Sequence, residues 1–440
     1  MTRAEILKQC HDNDVQFMRL QFSDIFGINK NVEIPRSQFE KALDGEIMFD
    51  GSSIEGFSRI EESDQLLTPD YKTFRILPWE NHNGKIARII CDIANPDGSP
   101  FEGCARTVLK RATQKAADMG YTMYAGPEAE FFLFLMGENN KATNNTHDSA
   151  GYFDLAPIDL GEEARREIVD VLNRLGFEVE AAHHEVARGQ HEIDFKYEEA
   201  VTTADNVATF KFVVRKVAQK YGLHATFMPK PVFGINGSGM HTHMSLFKDG
   251  KNAFFGPDEE YQLSIFCKHF IAGLLKHARY FVAVTNPLVN SFKRLVPGYE
   301  APINIAWSER NRSPLIRIPA KRGNSTRVEV RVPDPACNPY LAFAVMLTAG
   351  LEGIKEKWVP PPPVNKNIFT MSQREKQRLK IEALPANLQR AIELFEKSKL
   401  MRETLGDHIF FHFINAKKQE WNNYISRVHQ WELDQYLSYY

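Results

Sequence analysis

The sequence predicts an α+β protein of two unequal domains, on three observations. Its 440 residues exceed what one ordinary core fills. Its first quarter carries short β-like runs behind one amphipathic helix, and beyond a dense turn cluster strands alternate with helices.

The first domain is expected over residues 1–103. An N-terminal helix leads into β-like runs such as Val15–Phe22 and Ile86–Ile93, separated by turn residues. Asn95-Pro96-Asp97-Gly98-Ser99-Pro100 is the densest turn cluster of this region, and a helical pattern begins near Arg106, which places the boundary between 103 and 104. In the second domain, 104–440, strands at Tyr121–Ala125, Glu128–Leu135 and Met240–Leu246 alternate with helices around 161–175, 203–221 and 259–279. A further helix is expected over 338–357, and Pro360 to Pro363 then stiffen an extended connector into a helical C-terminal region. No period of 20 to 50 residues marks a solenoid or propeller. The aromatic tail Trp431–Tyr440 is expected, on composition alone, to dock onto its own domain.

Composition narrows the function. With 43% hydrophobic residues, 25% charged residues and a net charge of -2, the chain has the balance of a soluble globular protein and lacks the basic excess of a nucleic-acid binder. The segment MTRAEILKQCHDNDVQF has no apolar signal core, and no later run reaches about eighteen apolar residues, so neither export nor membrane insertion is expected. Cys10, Cys91, Cys104, Cys267 and Cys337 form no CxxC pair, which argues against a zinc ribbon or disulfide framework and for a reducing cytoplasm.

The chemistry lies in strands with ionisable residues at alternate positions, which share one face. Glu128 and Glu130 do so, as do His241 and His243, Glu192 and Asp194, and Glu329 between Arg327 and Arg331. One such strand is what any half-solvated sheet shows. Several, set in apolar runs such as FFLFL, imply a carboxylate-lined groove. Gathered carboxylates repel unless cations neutralise them, and oxygen-rich ligands with a few imidazoles suit Mg²⁺ or Mn²⁺. Arg294, Arg310, Arg312, Arg317, Lys321, Arg322, Arg327 and Arg331 form a second cluster, suited to clamping phosphate and carboxylate oxygens. A solvated basic face would leave their apolar neighbours unexplained. Asn236-Gly237-Ser238-Gly239 fits neither phosphate-loop pattern, so its glycines are read as permitting close backbone approach. Of the adjacent His183 and His184 at most one faces the groove, and neither is taken as a metal ligand.

These residues carry a resemblance. Met48-Phe49-Asp50-Gly51-Ser52-Ser53, Pro127-Glu128-Ala129-Glu130-Phe131-Phe132, Asn236-Gly237-Ser238-Gly239-Met240-His241, the run Lys293 to Pro302 and Arg327-Val328-Glu329-Val330-Arg331 resemble glutamine synthetase signatures, in family order across nearly the whole chain. The short type I class of bacteria and archaea is the nearest likeness. It implies an N-terminal β-grasp-like domain and a C-terminal catalytic domain of the glutamine synthetase/guanido kinase type, its curved antiparallel half-barrel sheet flanked by helices. It also implies a homo-dodecamer of two stacked hexamers, with the aromatic tail reaching the opposite ring, and ATP-dependent ligation of ammonia to glutamate through γ-glutamyl phosphate.

Position by position, the resemblance implies Glu130, Glu185 and Glu192 as ligands of one cation and Glu128, His241 and Glu329 of another. It implies Asn236, Gly237, Arg294, Glu300, Arg312 and Arg331 at glutamate, and His243, Ser245, Arg317 and Arg327 at ATP. Asp50, Ser53 and Glu300 form the implied ammonium site, with Asp50, Glu300 and Arg312 catalytic and Tyr152 on a closing loop. Arg59 resembles a feedback-inhibition position, and regulatory protein partners are possible in this class. Phe369, in Asn367-Ile368-Phe369, stands where a longer subclass has a tyrosine that accepts AMP, which excludes that modification there. A ligase for an organic amine and a catalytically silent relative are the rival readings. Retention of Asp50, Ser53 and Glu300 and of a complete ligand set speaks against them.

Overall fold

The structure, a computed structural model, describes residues 1–54, 56, 64–79, 84–299 and 301–440. The chain folds as α1 (Arg3–Asp12), β1 (Val15–Ser23), β2 (Asn29–Pro35), α2 (Phe39–Leu43), β3 (Met48–Asp50), β4 (Asp64–Ile76) and β5 (Lys85–Ala94). There follow α3 (Ala105–Asp118), β6 (Thr122–Ala129), β7 (Phe131–Met136), β8 (Ala142–Thr146), α4 (Glu162–Arg174), β9 (Val179–His184), β10 (Gln190–Phe195), β11 (Glu198–Glu199), α5 (Ala200–Lys220), β12 (Leu223–Thr226), β13 (Met240–Lys248) and β14 (Lys251–Asn252). The remainder comprises α6 (Ile265–Thr285), α7 (Ser291–Arg294), β15 (Asn304–Ser308), β16 (Pro314–Arg317), β17 (Val328–Val330), α8 (Pro339–Lys355), α9 (Gln373–Arg378), β18 (Glu382–Ala383), α10 (Leu388–Phe395), α11 (Lys399–Leu405), α12 (Asp407–Ile425) and α13 (Gln430–Tyr436).

The N-terminal part is a β-grasp sheet in the order β2-β1-β5-β4-β3, with β1 and β5 parallel and the other pairs antiparallel. Thr2 and Glu5 cap α1 reciprocally, fixing where that helix starts. β5 is buried along most of its length, so it reads as a continuous apolar run rather than an alternating one. Arg106 on α3 joins this sheet to the rest of the protein: its guanidinium reaches Asp70 on β4 at 2.7 Å, Asp92 on β5 at 3.0 Å and Asp205 on α5 at 2.8 Å.

The larger part builds a curved, nearly closed surface from two sheets. One runs β12-β7-β10-β9 with β8 beside β7, and the other β11-β6-β13-β17-β16-β15-β18 with β14 beside β13. The larger sheet is antiparallel except where β15 meets β16. β6 and β7 follow one another directly, so the chain crosses from one sheet to the other at Glu130. The runs expected at Tyr121–Ala125 and Glu128–Leu135 are thus redivided at that residue.

Helices α6 and α8 form the buried backing. Their backbones touch closely enough that a Cβ on Gly273 would lie 2.1 Å from the Ala349 carbonyl oxygen, and one on Gly353 2.2 Å from that of His269. α6 starts at Ile265 rather than near 259, because Ser264 caps it through the Cys267 amide.

The tail does not dock onto its own domain. The buried residues of α12 end at Lys417, and the helix then leaves the core, so Trp431, Leu437 and Tyr439 stand 62%, 75% and 82% exposed. No helix among the described residues is long and apolar enough to cross a membrane.

Candidate functional site

Strand register brings the ionisable faces together. His241 on β13 lies directly opposite Glu128 on β6, and His243 opposite Glu329 on β17. Arg317 on β16 lies opposite Glu329 from the other side. Directly opposed residues share a face, so the sequence alternation becomes one polar patch. Glu128 accepts hydrogen bonds from His243 Nε2 at 2.7 Å and His241 Nδ1 at 3.3 Å. Glu329 holds Arg317 Nη1 at 2.6 Å and Arg331 Nε at 3.2 Å. Arg327 Nε donates to His243 Nδ1 at 3.1 Å.

Glu128, His241 and Glu329 each offer a ligand atom within 4.8 Å of the others. A second trio of the same tightness is His183, Glu185 and Glu192. It arises where β9 and β10 form a hairpin: Glu192 pairs with His183, whose Nε2 lies 3.3 Å from Glu192 Oε1, and Glu185 follows two residues later on the same side. Glu130 stands beside this trio rather than within it. Its Oε2 accepts from Gln190 Nε2 at 2.7 Å and from the Gly239 amide at 3.0 Å.

The electrostatics show what the patch lacks. Burial, then the charges of Glu185 and Glu192, push Glu130 well above the usual carboxylate range. Burial, then Asp194 and Glu128, do the same to Glu192. Asp194, half-buried and close to Glu128, is raised to about 7 by its partial burial and that charge. Glu128 and Glu329 go the other way: burial opposes their charge, but His241 and His243 outweigh it and hold both below the usual range. Clustered carboxylates with two or three imidazoles, some forced toward the neutral acid, form a donor set that divalent cations would relieve.

A cavity of about 340 Å³ opens beside Glu128, lined by Tyr124, Asp194, His243, Ser245, Lys321 and Arg327. On the other flank, Arg294 is buried and donates to the carbonyls of Val332 at 2.8 Å and Pro333 at 3.3 Å. Arg331 Nη1 donates to the Arg312 carbonyl. Gly239 fits between these groups because it has no side chain: a Cβ there would lie 2.6 Å from Arg294 Nη2 and 3.2 Å from His241 Nε2. Asn236 and Gly237 lead into that turn, and the Gly237 carbonyl accepts from Gln190 at 3.2 Å. Tyr152, with Glu185 and Arg312 beside its hydroxyl, stacks on Phe153 at 4.0 Å between ring centres, and the Phe153 ring meets His183 edge-on at 4.8 Å.

Asp50 and Ser53 lie elsewhere, exposed at the end of the edge strand β3, where Asp50 Oδ1 accepts from the Ser52 amide at 2.8 Å and its hydroxyl at 2.6 Å. Arg59 and Glu300 lie outside the described residues. Sequence reasoning set His183 aside, although His183 and Glu185 show the same alternation as the strands it used. Gln190 carried no local signal.

Family models for the glutamine synthetase β-grasp domain and catalytic domain match residues 14–96 and 102–436. A glutamine synthetase of Thermus thermophilus is 63% identical over 443 residues, covering 100% of this chain and 99% of that protein. One from Clostridium saccharobutylicum is 57% identical over 439 residues (100% and 99%), and one from Methanosarcina mazei 55% identical over 437 residues (99% and 98%). Among solved structures, a GmaS/ADP complex superposes with a TM-score of 0.89 at 30% identity, covering 98% of this chain and 99% of that one. The Plasmodium falciparum glutamine synthetase, determined by electron cryo-microscopy, does so with 0.88 at 26% identity, covering 99% of each.

Proposed function

Because this chain belongs to the glutamine synthetase family and is a glutamate–ammonia ligase driven by ATP, we propose that its two acid trios hold two divalent cations, Mg²⁺ or Mn²⁺, between a nucleotide site and a glutamate site. One observation carries this reading: β6, β13 and β17 pair in the register that stacks Glu128, His241 and Glu329 on one face, with arginines behind them. Glu185, Glu192 and His183 would hold the second cation, with Glu130 beside them, hydrogen-bonded to Gln190. Residues 1–103 and 104–440 are taken as the two domains.

Held by these residues, divalent cations would supply charge neutralisation at the phosphate oxygens of ATP. The residues of this chain do the rest. Ser245 and His243 line the nucleotide cavity, and Arg317 and Arg327 clamp the phosphates. Asn236, Gly237, Arg294, Arg312 and Arg331 orient glutamate so that its side-chain carboxylate faces the γ-phosphorus in line with the leaving ADP. A carboxylate is a poor acyl donor. Attack on the γ-phosphorus forms a new P–O bond, expels ADP and yields γ-glutamyl phosphate, whose phosphate is a good leaving group. Asp50, Ser53 and Glu300 bind ammonium, a carboxylate accepts its proton, and the freed nitrogen attacks the carbonyl carbon as phosphate departs. Tyr152 and Glu300 screen this step from water.

The exposed edge strand that carries Asp50 and the exposed aromatic tail both support assembly: a dodecamer of two hexamers, with Asp50 serving a neighbour's site. The five buried free thiols support a cytoplasmic location. Feedback by glutamine acts at Arg59, and regulatory protein partners are a further possibility in this class.

The test is phosphate release with glutamate and ATP, supplying ammonium, putrescine or methylamine in parallel. Ammonium supports turnover best, and Glu128→Gln abolishes most of it. Preference for an organic amine would overturn the ammonium assignment.

A further inference from the structure

Behind the β9–β10 hairpin, on the face opposite the metal trios, lies a buried polar cluster that the reaction does not use. His184 and His191 pair across the hairpin and are fully buried, pointing away from His183 and Glu192. Facing them from the loop 147–161 is Asp148, whose side chain is 0% exposed.

Each Asp148 oxygen does a separate task. Oδ1 accepts from the Gly189 amide at 2.9 Å and from His184 Nε2 at 3.3 Å. Oδ2 accepts from the Leu160 amide at 3.3 Å and lies 3.1 Å from His147 Nε2. The imidazoles extend the hold: His184 Nδ1 donates to the Glu185 carbonyl at 2.7 Å and His147 Nδ1 to that of Leu133 at 2.9 Å. The first oxygen therefore grips both ends of the turn 185–189, which carries Glu185. The second closes the neck of the loop that presents Tyr152 and Phe153 to His183, and the Phe153 amide itself donates to the His184 carbonyl at 3.1 Å.

His147, Asp148, Asp159 and His191 also bring ligand atoms within 4.8 Å of one another, and His191 Nε2 has no hydrogen-bond partner. A metal ion is nonetheless poorly served. Arg165 already stands there, donating to Asp159 at 2.7 Å and to His191 Nδ1 at 2.9 Å. Accepting at Nδ1 puts the His191 proton on Nε2, which leaves that nitrogen no lone pair for a cation.

We propose that Asp148 is a positioning residue, which locks the turn bearing Glu185 to the neck of the Tyr152–Phe153 loop and so holds the second cation site in its binding geometry. This rests on the reading of Glu185 and Glu192 as cation ligands. Outer partners of metal ligands are worth about 10- to 100-fold in affinity.

The experiment measures free Mn²⁺ by electron paramagnetic resonance in titrations of the full-length protein, alongside steady-state kinetics. Wild type, Asp148→Asn, Asp148→Ala and Glu185→Gln are compared. Asp148→Ala weakens Mn²⁺ binding about tenfold or more and raises half-saturating Mn²⁺ in parallel, with kcat largely recovered at saturation. Asp148→Asn, which keeps one acceptor oxygen, falls between Ala and wild type. Mn²⁺ binding unchanged in both Asp148 variants, even with a lower melting temperature, overturns the proposal. If Ala does not fold, Asn matching wild type overturns it equally. If Glu185→Gln also binds Mn²⁺ normally, the ligand reading falls with it; if Glu185→Gln binds weakly while the Asp148 variants do not, only the positioning role falls. A tightly held metal found in wild type with the Mn²⁺ removed and absent from Asp148→Asn would replace this role with a structural ion.

Discussion

His241 and Glu128 face each other directly across β13 and β6, with Nδ1 of the imidazole 3.3 Å from Oε2 of the carboxylate. Glu329 completes the trio from the next strand, so a cation bound here crosslinks β6, β13 and β17. An ion held only by the folded chain stabilises it by mass action, about 2.7 kcal/mol at a hundred times its dissociation constant. Mn²⁺ therefore raises the melting temperature of the wild type, EDTA reverses the gain, and Glu128→Gln loses most of it. A melting temperature insensitive to chelation would refute a filled site.

The same gain depends on pH. Glu130 and Glu192 have folded-state pKa values raised above the ordinary 4.5, so folding of the metal-free chain takes up protons. Their contribution to metal-free stability is greatest below the unfolded value and declines as pH rises from there toward the folded value. A cation favours the ionised carboxylates, so the Mn²⁺-dependent rise in melting temperature should grow as pH rises from the ordinary carboxylate value of 4.5 through neutrality. Melting curves with Mn²⁺ or EDTA across that range check it; a gain that shrinks with pH would contradict the sign.

Gly239→Ala introduces a methyl 2.6 Å from Arg294 Nη2 and 3.2 Å from His241 Nε2. The buried guanidinium has little room to yield. The expected outcome is a several-fold rise in KM for glutamate with a much smaller change in KM for ATP, read from initial rates.

Asp50→Ala impairs ammonia-dependent synthesis far more than ATP binding, because Asp50 lies on an exposed edge strand away from the nucleotide cavity. Nucleotide titration beside the synthesis assay separates the two; equal losses would remove its assigned role.

Arg106→Met removes the guanidinium shared by Asp205 and Asp70, while Asp92 keeps Lys110, at the seam where the N-terminal sheet meets α5. Breaking a buried ion network by deleting one partner costs about 3–5 kcal/mol. Denaturant unfolding of the metal-free protein should show a loss of that order, and an unchanged midpoint would show that water reaches the seam.

The fold was legible where local pattern sufficed. β1, β5 and β13 follow their alternation or apolar runs closely, and α8 runs nearly as its apolar length predicts. The chain crosses between sheets at Glu130, a change of direction set by which strands each half meets, and no local pattern announces it. For the tail, aromatic composition reports what a segment would bury and says nothing about whether its own domain has a face left to cover it, so composition alone points to docking that the exposed tail does not show.

The sequence by itself determined the chemistry of the faces: residues two apart on a strand must share a side, which pairs Glu128 with Glu130, His241 with His243, and Glu329 with its arginines. Only the tertiary structure decided which faces meet. Glu128 reaches His241 across 113 residues of chain, Gln190 reaches Glu130 across 60, and Asp148 reaches Gly189 across 41. Such contacts depend on strand order and register, which the whole sheet settles cooperatively. The same limit explains His183 and His184: alternation puts them on opposite sides, but only the pairing of β9 with β10 turned His183 toward the carboxylates and buried His184 behind them.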